Sequence, residues 1–240
     1  MENENSVPFA EKTMLCWEKR HPFKREGLLL EHVQSEMDFH GRVSSFSEYI
    51  VPLLHAGKVQ IGNSHENQYK VIFLMPYMKE GALTKYIPQI CSQGAKAILS
   101  AFKNIVIPVA ICHAHGVHHR DIKPDNFLKQ KDRFLLTDFG TAEELDGNSF
   151  STKRGTPAYT APELVELVEA RLDGKLDMWG LGCILYELMT GGSIYGFDKK
   201  VNRKVFSQKE KSLGSILSGL LHEKPEQRWG LSQLTKALEI

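Results

Sequence analysis

The apolar segments of this chain have the pattern of strands in some places and of helices in others, and their order limits the folds that the chain can adopt. An amphipathic helix is predicted over residues 25–44, and a buried strand runs from about Lys70 to Met75 and ends at Pro76. After residue 94 the apolar segments have mostly a helical period. This segregation predicts an α+β fold with a small strand-bearing lobe and a large helical lobe.

The predicted helical lobe is built around two apolar helices. The first covers residues 95–116 and contains Pro108, which should kink or break it. The second, over residues 176–189, is apolar on several sides and should be deeply buried. The two lobes should join near residues 75–81, where a crevice would suit a ligand. Shorter elements are predicted as strands near 127–128 and 134–137 and as helices near 213–221 and 232–238.

Composition argues against several classes of protein. A net charge of +1 without a basic stripe gives no reason to expect a nucleic-acid surface. No apolar run approaches the length of a membrane span, so no membrane contact is expected, and the polar N-terminus is unlike a signal peptide. The four cysteines lack zinc-ligand spacing. We expect them to be reduced thiols, which predicts a cytoplasmic location.

The most specific motif is HRDIKPDN at residues 119–126, followed by DFG at 138–140 and APE at 161–163. These segments, in this order, resemble the catalytic loop and the activation segment of protein kinases. The similarity runs from about Leu28 to the C-terminus.

The resemblance implies an architecture and an activity. It implies a bilobal protein-kinase-like fold in which residues 1–78 form a reduced N-terminal lobe and residues 79–240 form the C-terminal lobe. The implied activity is transfer of the γ-phosphoryl group of ATP, with Mg²⁺, to serine or threonine hydroxyls of protein substrates. Lys123 is the residue that marks the serine/threonine kinases within the family.

Four residues match the family's catalytic positions, and their chemistry suits the reaction. Asp121 would orient the substrate hydroxyl and accept its proton, a role for a carboxylate acceptor. Asn126 and Asp138 would bind Mg²⁺ through oxygen atoms, which this cation prefers. Lys123 would contact the transferred phosphate.

The activation segment has predicted regulatory positions. Arg120 resembles the arginine that clamps a phosphorylated activation loop through charge-assisted hydrogen bonds. Thr152 lies where many family members are phosphorylated, by an upstream kinase or by themselves, with Ser149 and Ser151 as alternatives. An unmodified polar loop is equally compatible with the sequence. Thr156 matches a threonine that contacts the catalytic aspartate and shapes the substrate pocket.

The resemblance also predicts where adenine binds. The segment VIFLMPYM is similar to the strand and hinge of the family. Met75 would lie beside the adenine ring as the gatekeeper, and the Pro76 carbonyl and the Met78 amide would face it. Proline is unusual at position 76, but it still supplies a carbonyl.

Other matched residues are predicted to be structural. Glu163 should pair with Arg228 and connect the end of the activation segment to the last helices. Asp177 should hold the backbone of the catalytic loop, and His119 should pack in the core rather than carry protons.

The N-terminal residues depart from the family pattern. The first glycine is Gly27, so no glycine-rich loop precedes the first helix, and too little chain precedes Leu28 for the usual first two strands. The ATP-contacting lysine should pair with a glutamate on that helix, and Glu36 shares a face with its apolar residues. Lys19 lies at a plausible distance upstream, but Glu18 could occupy the lysine position, which would make Lys19 a solvated residue.

Two functions are therefore open. The intact catalytic set favours an active serine/threonine kinase, whereas the absent glycine-rich loop favours a pseudokinase-like nucleotide-binding or scaffolding module. A small-molecule kinase is disfavoured, because such relatives usually lack both the APE segment and the lysine at position 123.

Overall fold

The structure, a computed structural model, has a strand-bearing part followed by a larger helical part, which confirms the predicted α+β fold class. The change from strands to helices follows the change in the period of the apolar residues. The structure describes residues 8–17, 28–61, 68–144, 150–152, 155–166, 169–171, 173–192 and 211–240.

The strand-bearing part is a four-stranded sheet. Strand β1 (Phe9–Trp17) is parallel to the short strand β2 (Leu28–Leu29) at one end. Strand β3 (His55–Ile61) is antiparallel to β4 (Gln68–Pro76), which also pairs with β1 in antiparallel orientation over its whole length. The order across the sheet is β2-β1-β4-β3.

Strand β1 is a finding that the sequence pattern did not predict. Exposure alternates along it, since Glu11 and Leu15 face solvent whereas Met14 and Cys16 face the sheet's packed side. Two adjacent charged residues, Glu11 and Lys12, interrupt the apolar alternation, so the pattern alone did not indicate a strand. Residues upstream of Leu28 therefore contribute a nine-residue strand to the sheet.

Helix α1 (Leu30–Ser44) covers one face of this sheet. The predicted helix began too early, because residues 28–29 extend the sheet as β2; residues 25–27 lie outside the described part of the chain. The buried residues that join α1 to β1 and β4 are Val33, Cys16, Val71 and Phe73.

The helical part is organised around α3 (Ala95–Ala114) and α5 (Lys175–Thr190). Both helices contribute to one large apolar core, and α5 ends at Gly191, whose φ of 73° suits a residue without a side chain. The remaining helices are α2 (Ile87–Ser92), α4 (Pro162–Glu166), α6 (Lys211–Leu220) and α7 (Leu231–Leu238).

Helix α3 bears on two expectations. Of the kink or break predicted at Pro108, the break is absent, because the helix continues through this residue although proline removes one backbone hydrogen bond there. By length and composition it is also apolar enough to span a membrane, contrary to the expectation that no such segment exists. Its residues Phe102, Ile105 and Val109 are buried against the core, the pattern of a central helix in a folded domain.

Three small strand pairs frame the segment from residue 117 to residue 171. They are β5 (Val117–His118) with β8 (Glu143–Glu144), β6 (Phe127–Gln130) with β7 (Arg133–Leu136), and β9 (Phe150–Thr152) with β10 (Glu169–Arg171). The HRDIKPDN motif therefore lies in the connection between β5 and β6.

Residues 49–51, which connect α1 to β3, contact the helical part beside β7. The Val51 amide donates to the Leu136 carbonyl at 2.9 Å, and the Leu136 amide donates to the Tyr49 carbonyl at 3.0 Å. Met78, which follows β4, packs in a small cluster with Val51 and Leu135. The division of the chain after residue 78 stays a prediction.

Candidate active site

A buried carboxylate on α5 holds the start of the catalytic loop. Asp177 accepts hydrogen bonds from the backbone amides of His119 (3.0 Å) and Arg120 (2.7 Å). The backbone at Arg120 has a φ of 68°, an uncommon conformation that needs such support. The predicted contact between Asp177 and the loop backbone is therefore present.

Two histidines also face Asp177. His113 Nε2 lies 2.8 Å from Asp177 Oδ2, and His118 Nε2 lies 3.5 Å from Asp177 Oδ1. Burial lowers the pKa of His118 to about 4, although the nearby Asp177 carboxylate opposes this. Burial alone would raise the pKa of Asp177, but His118 and His113 outweigh it and keep the pKa below its usual range. Asp177 is therefore a charged anchor beneath the loop.

The loop and the activation segment meet at Asp121. Lys123 Nζ lies 2.5 Å from Asp121 Oδ2 and donates to Thr156 Oγ1 at 2.7 Å. Thr156 in turn donates to Asp121 Oδ1 through its backbone amide (2.9 Å) and its hydroxyl (2.8 Å). The structure thus brings together three of the predicted site residues, with Oδ2 of Asp121 on the side of Lys123.

Asn126 completes this cluster. Its Nδ2 atom donates to the backbone carbonyl of Asp121 at 2.8 Å and to Asp121 Oδ2 at 3.2 Å. The amide oxygen of Asn126 is then the atom left for a cation. The Thr137 amide donates to the Asn126 carbonyl at 3.0 Å, so the residue next to Asp138 adjoins Asn126. The two predicted Mg²⁺ ligands consequently belong to neighbouring stretches of backbone.

A lysine joins β1, α1 and the DFG segment. Lys12 Nζ lies 2.6 Å from Glu36 Oε1 and 2.8 Å from Asp138 Oδ1. The Glu36 side chain is buried, whereas 43% of the Asp138 side chain is exposed. Asp138 therefore has carboxylate surface available for a further ligand.

The pKa values in this triad follow from burial and charge. Burial alone would lower the pKa of Lys12, but Asp138 and Glu36 outweigh it and raise that pKa. Burial alone would raise the pKa of Asp138, but Lys12 outweighs it and lowers that pKa. Burial raises the pKa of Glu36 despite the opposing effect of Lys12. At neutral pH the exposed end of the triad is an ion pair between Lys12 and Asp138.

Lys12 is the functional candidate that the sequence analysis missed. Lys19, which was proposed for the contact with Glu36, lies outside the described residues, and the lysine that meets Glu36 is Lys12. The order Ala10-Glu11-Lys12 matches the alanine-x-lysine order of the kinase V-A-I-K segment, and this was the available signal.

The predicted adenine positions lie at the end of β4. Ala10 and Phe9 of β1 are paired with Met75 and Pro76. Met75 is half-buried. It packs against both the buried residues that join α1 to the sheet and the cluster of Val51, Met78 and Leu135. Met75 and Pro76 of the predicted hinge thus pair with β1 residues two and three positions before Lys12.

His119 is packed as a core residue, as predicted. Its ring lies edge-on to Phe139 at 5.0 Å between ring centres, and its Nε2 is 3.0 Å from the Thr137 carbonyl. The other side of Phe139 contacts His40 of α1 at 4.9 Å. These rings connect helix α1 to the catalytic loop.

The predicted ion pair at the end of the activation segment is present. Arg228 donates from both terminal nitrogens to Glu163, at 2.7 and 2.9 Å, and the Arg228 side chain has no exposed surface. Such a bidentate pair fixes orientation as well as charge. It holds the APE segment against the turn before α7.

Of the predicted regulatory residues, Thr156 lies in the cluster around Asp121, whereas Arg120 and Thr152 contact other residues. Arg120 forms an ion pair with Glu143 of β8. Thr152 lies in β9 opposite Glu169, and its side chain and residue 149 lie outside what the structure describes. Glu143 was not singled out from the sequence, because nothing in the pattern indicates which residue faces Arg120.

The comparisons with known proteins agree with this geometry. Residues 1–238 match the family described as protein kinase domain. Serine/threonine-protein kinase AtPK1/AtPK6 of Arabidopsis thaliana is 34% identical over 199 residues, which cover 78% of this chain and 42% of that protein. The chain therefore belongs to the protein kinase family, as the motifs predicted.

Further relatives are also protein kinases, one of them named a serine/threonine-protein kinase. CBL-interacting serine/threonine-protein kinase 12 of Arabidopsis thaliana is 30% identical over 224 residues, covering 87% of this chain and 43% of the relative. Human 3-phosphoinositide-dependent protein kinase 1 is 33% identical over 179 residues, covering 72% and 30%. The chain spans less than half the length of these curated relatives.

Proposed function

We propose that this chain transfers the γ-phosphoryl group of ATP to serine or threonine hydroxyls of protein substrates. The observation that carries the proposal is the contact of Lys12 with both Glu36 and Asp138, at 2.6 and 2.8 Å. In the kinase template a lysine paired with a helix glutamate binds the nucleotide phosphates. The described residues therefore support a phosphate-binding lysine in position beside the DFG aspartate.

The residues around Asp121 support the transfer step itself. Thr156 holds Oδ1 through two hydrogen bonds, and Oδ2, which accepts from Lys123 and Asn126, is the oxygen that would face an incoming hydroxyl. Asp121 would accept the hydroxyl proton as the oxygen attacks, and Lys123 Nζ would neutralise charge on the phosphoryl oxygens. Preorganised donors of this kind lower the barrier, because they need no rearrangement during the reaction.

Asp138 and Asn126 fit a magnesium ion. The described residues include no group of three or more His, Cys, Asp or Glu side chains that could hold a metal ion, so Mg²⁺ at Asp138 and Asn126 would take its other ligands from phosphate and water. The exposed part of the Asp138 carboxylate and the amide oxygen of Asn126 are the oxygen donors. When bound, Mg²⁺ would neutralise the polyphosphate and hold it in a fixed position.

Further parts of the proposal concern partners and location. Protein substrates with serine or threonine are supported by Lys123 and by the relatives' names. Phosphorylation of Thr152, by an upstream kinase or by the chain itself, stays a prediction. All four cysteines are free thiols, which supports the proposed cytoplasmic location.

A nucleotide-binding module with weak or no transfer is the second candidate. It is favoured by one feature of the sequence, which is that residues 1–26 contain no glycine and so no glycine-rich loop. Such a module could bind ATP through Lys12 and Asp138 and still fail to align the γ-phosphate.

Two measurements on the purified chain distinguish the candidates. The first is transfer of labelled γ-phosphate to a generic basic protein, with identification of the phosphorylated amino acid. The second is the thermal shift produced by ATP with and without Mg²⁺. Label on serine or threonine together with a Mg²⁺-dependent shift supports the kinase. A thermal shift without transfer supports the binding module, and label mainly on tyrosine would contradict the proposed specificity.

A further inference from the structure

Arg120, which follows His119 in the catalytic loop, contacts a residue that the sequence analysis did not predict. Arg120, whose side chain has no exposed surface, forms an ion pair with Glu143. Glu143 lies on β8, and the pairing of β8 with β5 puts it opposite His118. Glu143, an acidic residue of the β5–β8 strand pair, therefore contacts Arg120, the arginine that resembles a phosphate clamp.

The position of Arg120 matters for the assembly of the site. Gly155 of the activation segment packs so closely that a Cβ added there would lie 2.9 Å from the Arg120 carbonyl oxygen. The next residue, Thr156, makes the two hydrogen bonds that orient Asp121. The backbone of Arg120 thus packs against Gly155, the residue before the Thr156 that orients Asp121.

We propose that Glu143 is a positioning residue for phosphoryl transfer. Its carboxylate supplies a negative charge beside Arg120, so that transfer does not require a phosphate on Thr152. This inference rests on the proposed kinase function. It predicts that an activating phosphate is dispensable, although the resemblance makes Thr152 a candidate for modification.

Electrostatic repulsion favours the ion pair of Arg120 with Glu143 over a contact between Arg120 and an added phosphate. A phosphate that approached Arg120 would come close to the Glu143 carboxylate, and like charges in proximity oppose binding. Glu144 pairs instead with Arg42 of α1 at 3.1 Å, and both of those side chains are largely exposed. The two neighbouring glutamates therefore pair with different arginines. Glu143 pairs with the buried Arg120, and Glu144 pairs with Arg42 at the surface.

The test compares Glu143→Gln with the matched control Glu144→Gln. Both remove one charge from the same strand, and Glu143→Asp keeps the charge on a shorter side chain. Each protein is treated with phosphatase, its unphosphorylated mass is verified, and kcat and KM for ATP are measured beside Thr152→Ala. A second readout is hydrogen exchange of the backbone amides in residues 118–123 and 155–160.

We expect Glu143→Gln to lower kcat about 30-fold, the effect of removing a charged partner from a buried arginine, with KM for ATP changed less than about twofold. Exchange in both segments should rise, Glu143→Asp should recover part of kcat, and Glu144→Gln should behave as the wild type. The unphosphorylated wild type and Thr152→Ala should have equal kcat.

Two results would overturn the inference. One is an unchanged kcat for Glu143→Gln, even if its melting temperature falls, because a purely structural contact would do only that. The other is a loss of more than about tenfold in kcat on phosphatase treatment or in Thr152→Ala. If the wild type transfers no phosphate, the proposed function fails separately. Hydrogen exchange then decides whether Glu143 holds the loop, and unchanged exchange in Glu143→Gln would refute it.

Discussion

Lys12 Nζ lies between two carboxylates, 2.6 Å from Glu36 and 2.8 Å from Asp138, and so connects β1, α1 and the DFG segment. The ammonium group of Lys12 thereby holds these three elements next to one another. Its third donor is available for a phosphate oxygen. The contact makes Lys12 the candidate for this role among the described residues, whereas the predicted Lys19 lies outside them.

Replacing Lys12 with methionine should abolish most of the transfer activity. The change leaves Glu36 buried without its cation and removes the proposed phosphate contact, so kcat/KM for ATP should fall by about a hundredfold or more. Steady-state kinetics of peptide phosphorylation measures this. Lys19→Met is the matched control, and a larger effect at position 19 than at position 12 would show that the assignment is wrong.

Asp121→Asn should stop transfer while ATP binding changes little. The asparagine must present its oxygen to Thr156, which turns its NH₂ group toward Lys123 and the substrate hydroxyl, where an acceptor is needed. We expect kcat to fall about a thousandfold, within the range for loss of a general base. The test measures kcat and the ATP dissociation constant.

The control for this variant is Asp125→Asn on the same loop, where the side chain is exposed and accepts a hydrogen bond from Thr84 at 2.8 Å. Its kcat should remain close to that of the wild type. Wild-type turnover in Asp121→Asn would remove Asp121 from the proposed chemistry.

Arg228→Lys should destabilise the fold although it keeps the positive charge. Lysine cannot make the two parallel hydrogen bonds to Glu163, and it also loses the bond from Arg228 to the Lys175 carbonyl at 2.9 Å. We expect a loss of about 3 kcal/mol in the free energy of unfolding, because the pair is buried. Urea unfolding measures it.

Arg133→Lys is the control for the charge-conserving change, because Arg133 pairs with Glu48 at the surface. Such exposed pairs contribute little, so no measurable change in stability is expected. Equal effects at positions 133 and 228 would contradict the argument from burial.

His118→Val should reduce the acid sensitivity of the fold. The pKa of His118 is about 4 in the folded protein, below its ordinary value of 6.5, so below pH 6.5 the unfolded chain binds a proton that the folded chain does not. Stability contributed by the neutral ring is therefore lost as pH falls from 6.5 toward 4. Between pH 7.5 and 5.0 the loss amounts to about 2 kcal/mol.

The measurement is urea unfolding of the wild type and His118→Val at both pH values. Asp177 and His113, which face position 118, remain in both proteins, so the difference in pH dependence reports on His118. His55→Val, at an exposed position of β3, should keep the wild-type pH dependence. An unchanged pH dependence in His118→Val would show that the buried ring is not the source.

Local sequence was sufficient for the residues that lie close together in the chain. Asp121, Lys123 and Asn126 fall within six residues, so their motif is legible without a fold, and the structure puts them in direct contact. The helices α3 and α5 were also predictable, because their apolar periodicity is long and regular. Their exact ends and the unbroken path through Pro108 depend on packing that periodicity does not report.

The sequence by itself determined the class of fold and the identity of the catalytic loop, since both depend on short-range pattern. Only the tertiary structure decided that Lys12 meets Glu36 and Asp138, residues 24 and 126 positions away, and that Glu143 meets Arg120. Such pairings follow from how the sheet, α1 and the small strand pairs are packed. The identity of a charged residue does not indicate which distant residue it pairs with. In water each charge is solvated separately, and the pair forms only when folding brings the two residues together and removes the water between them.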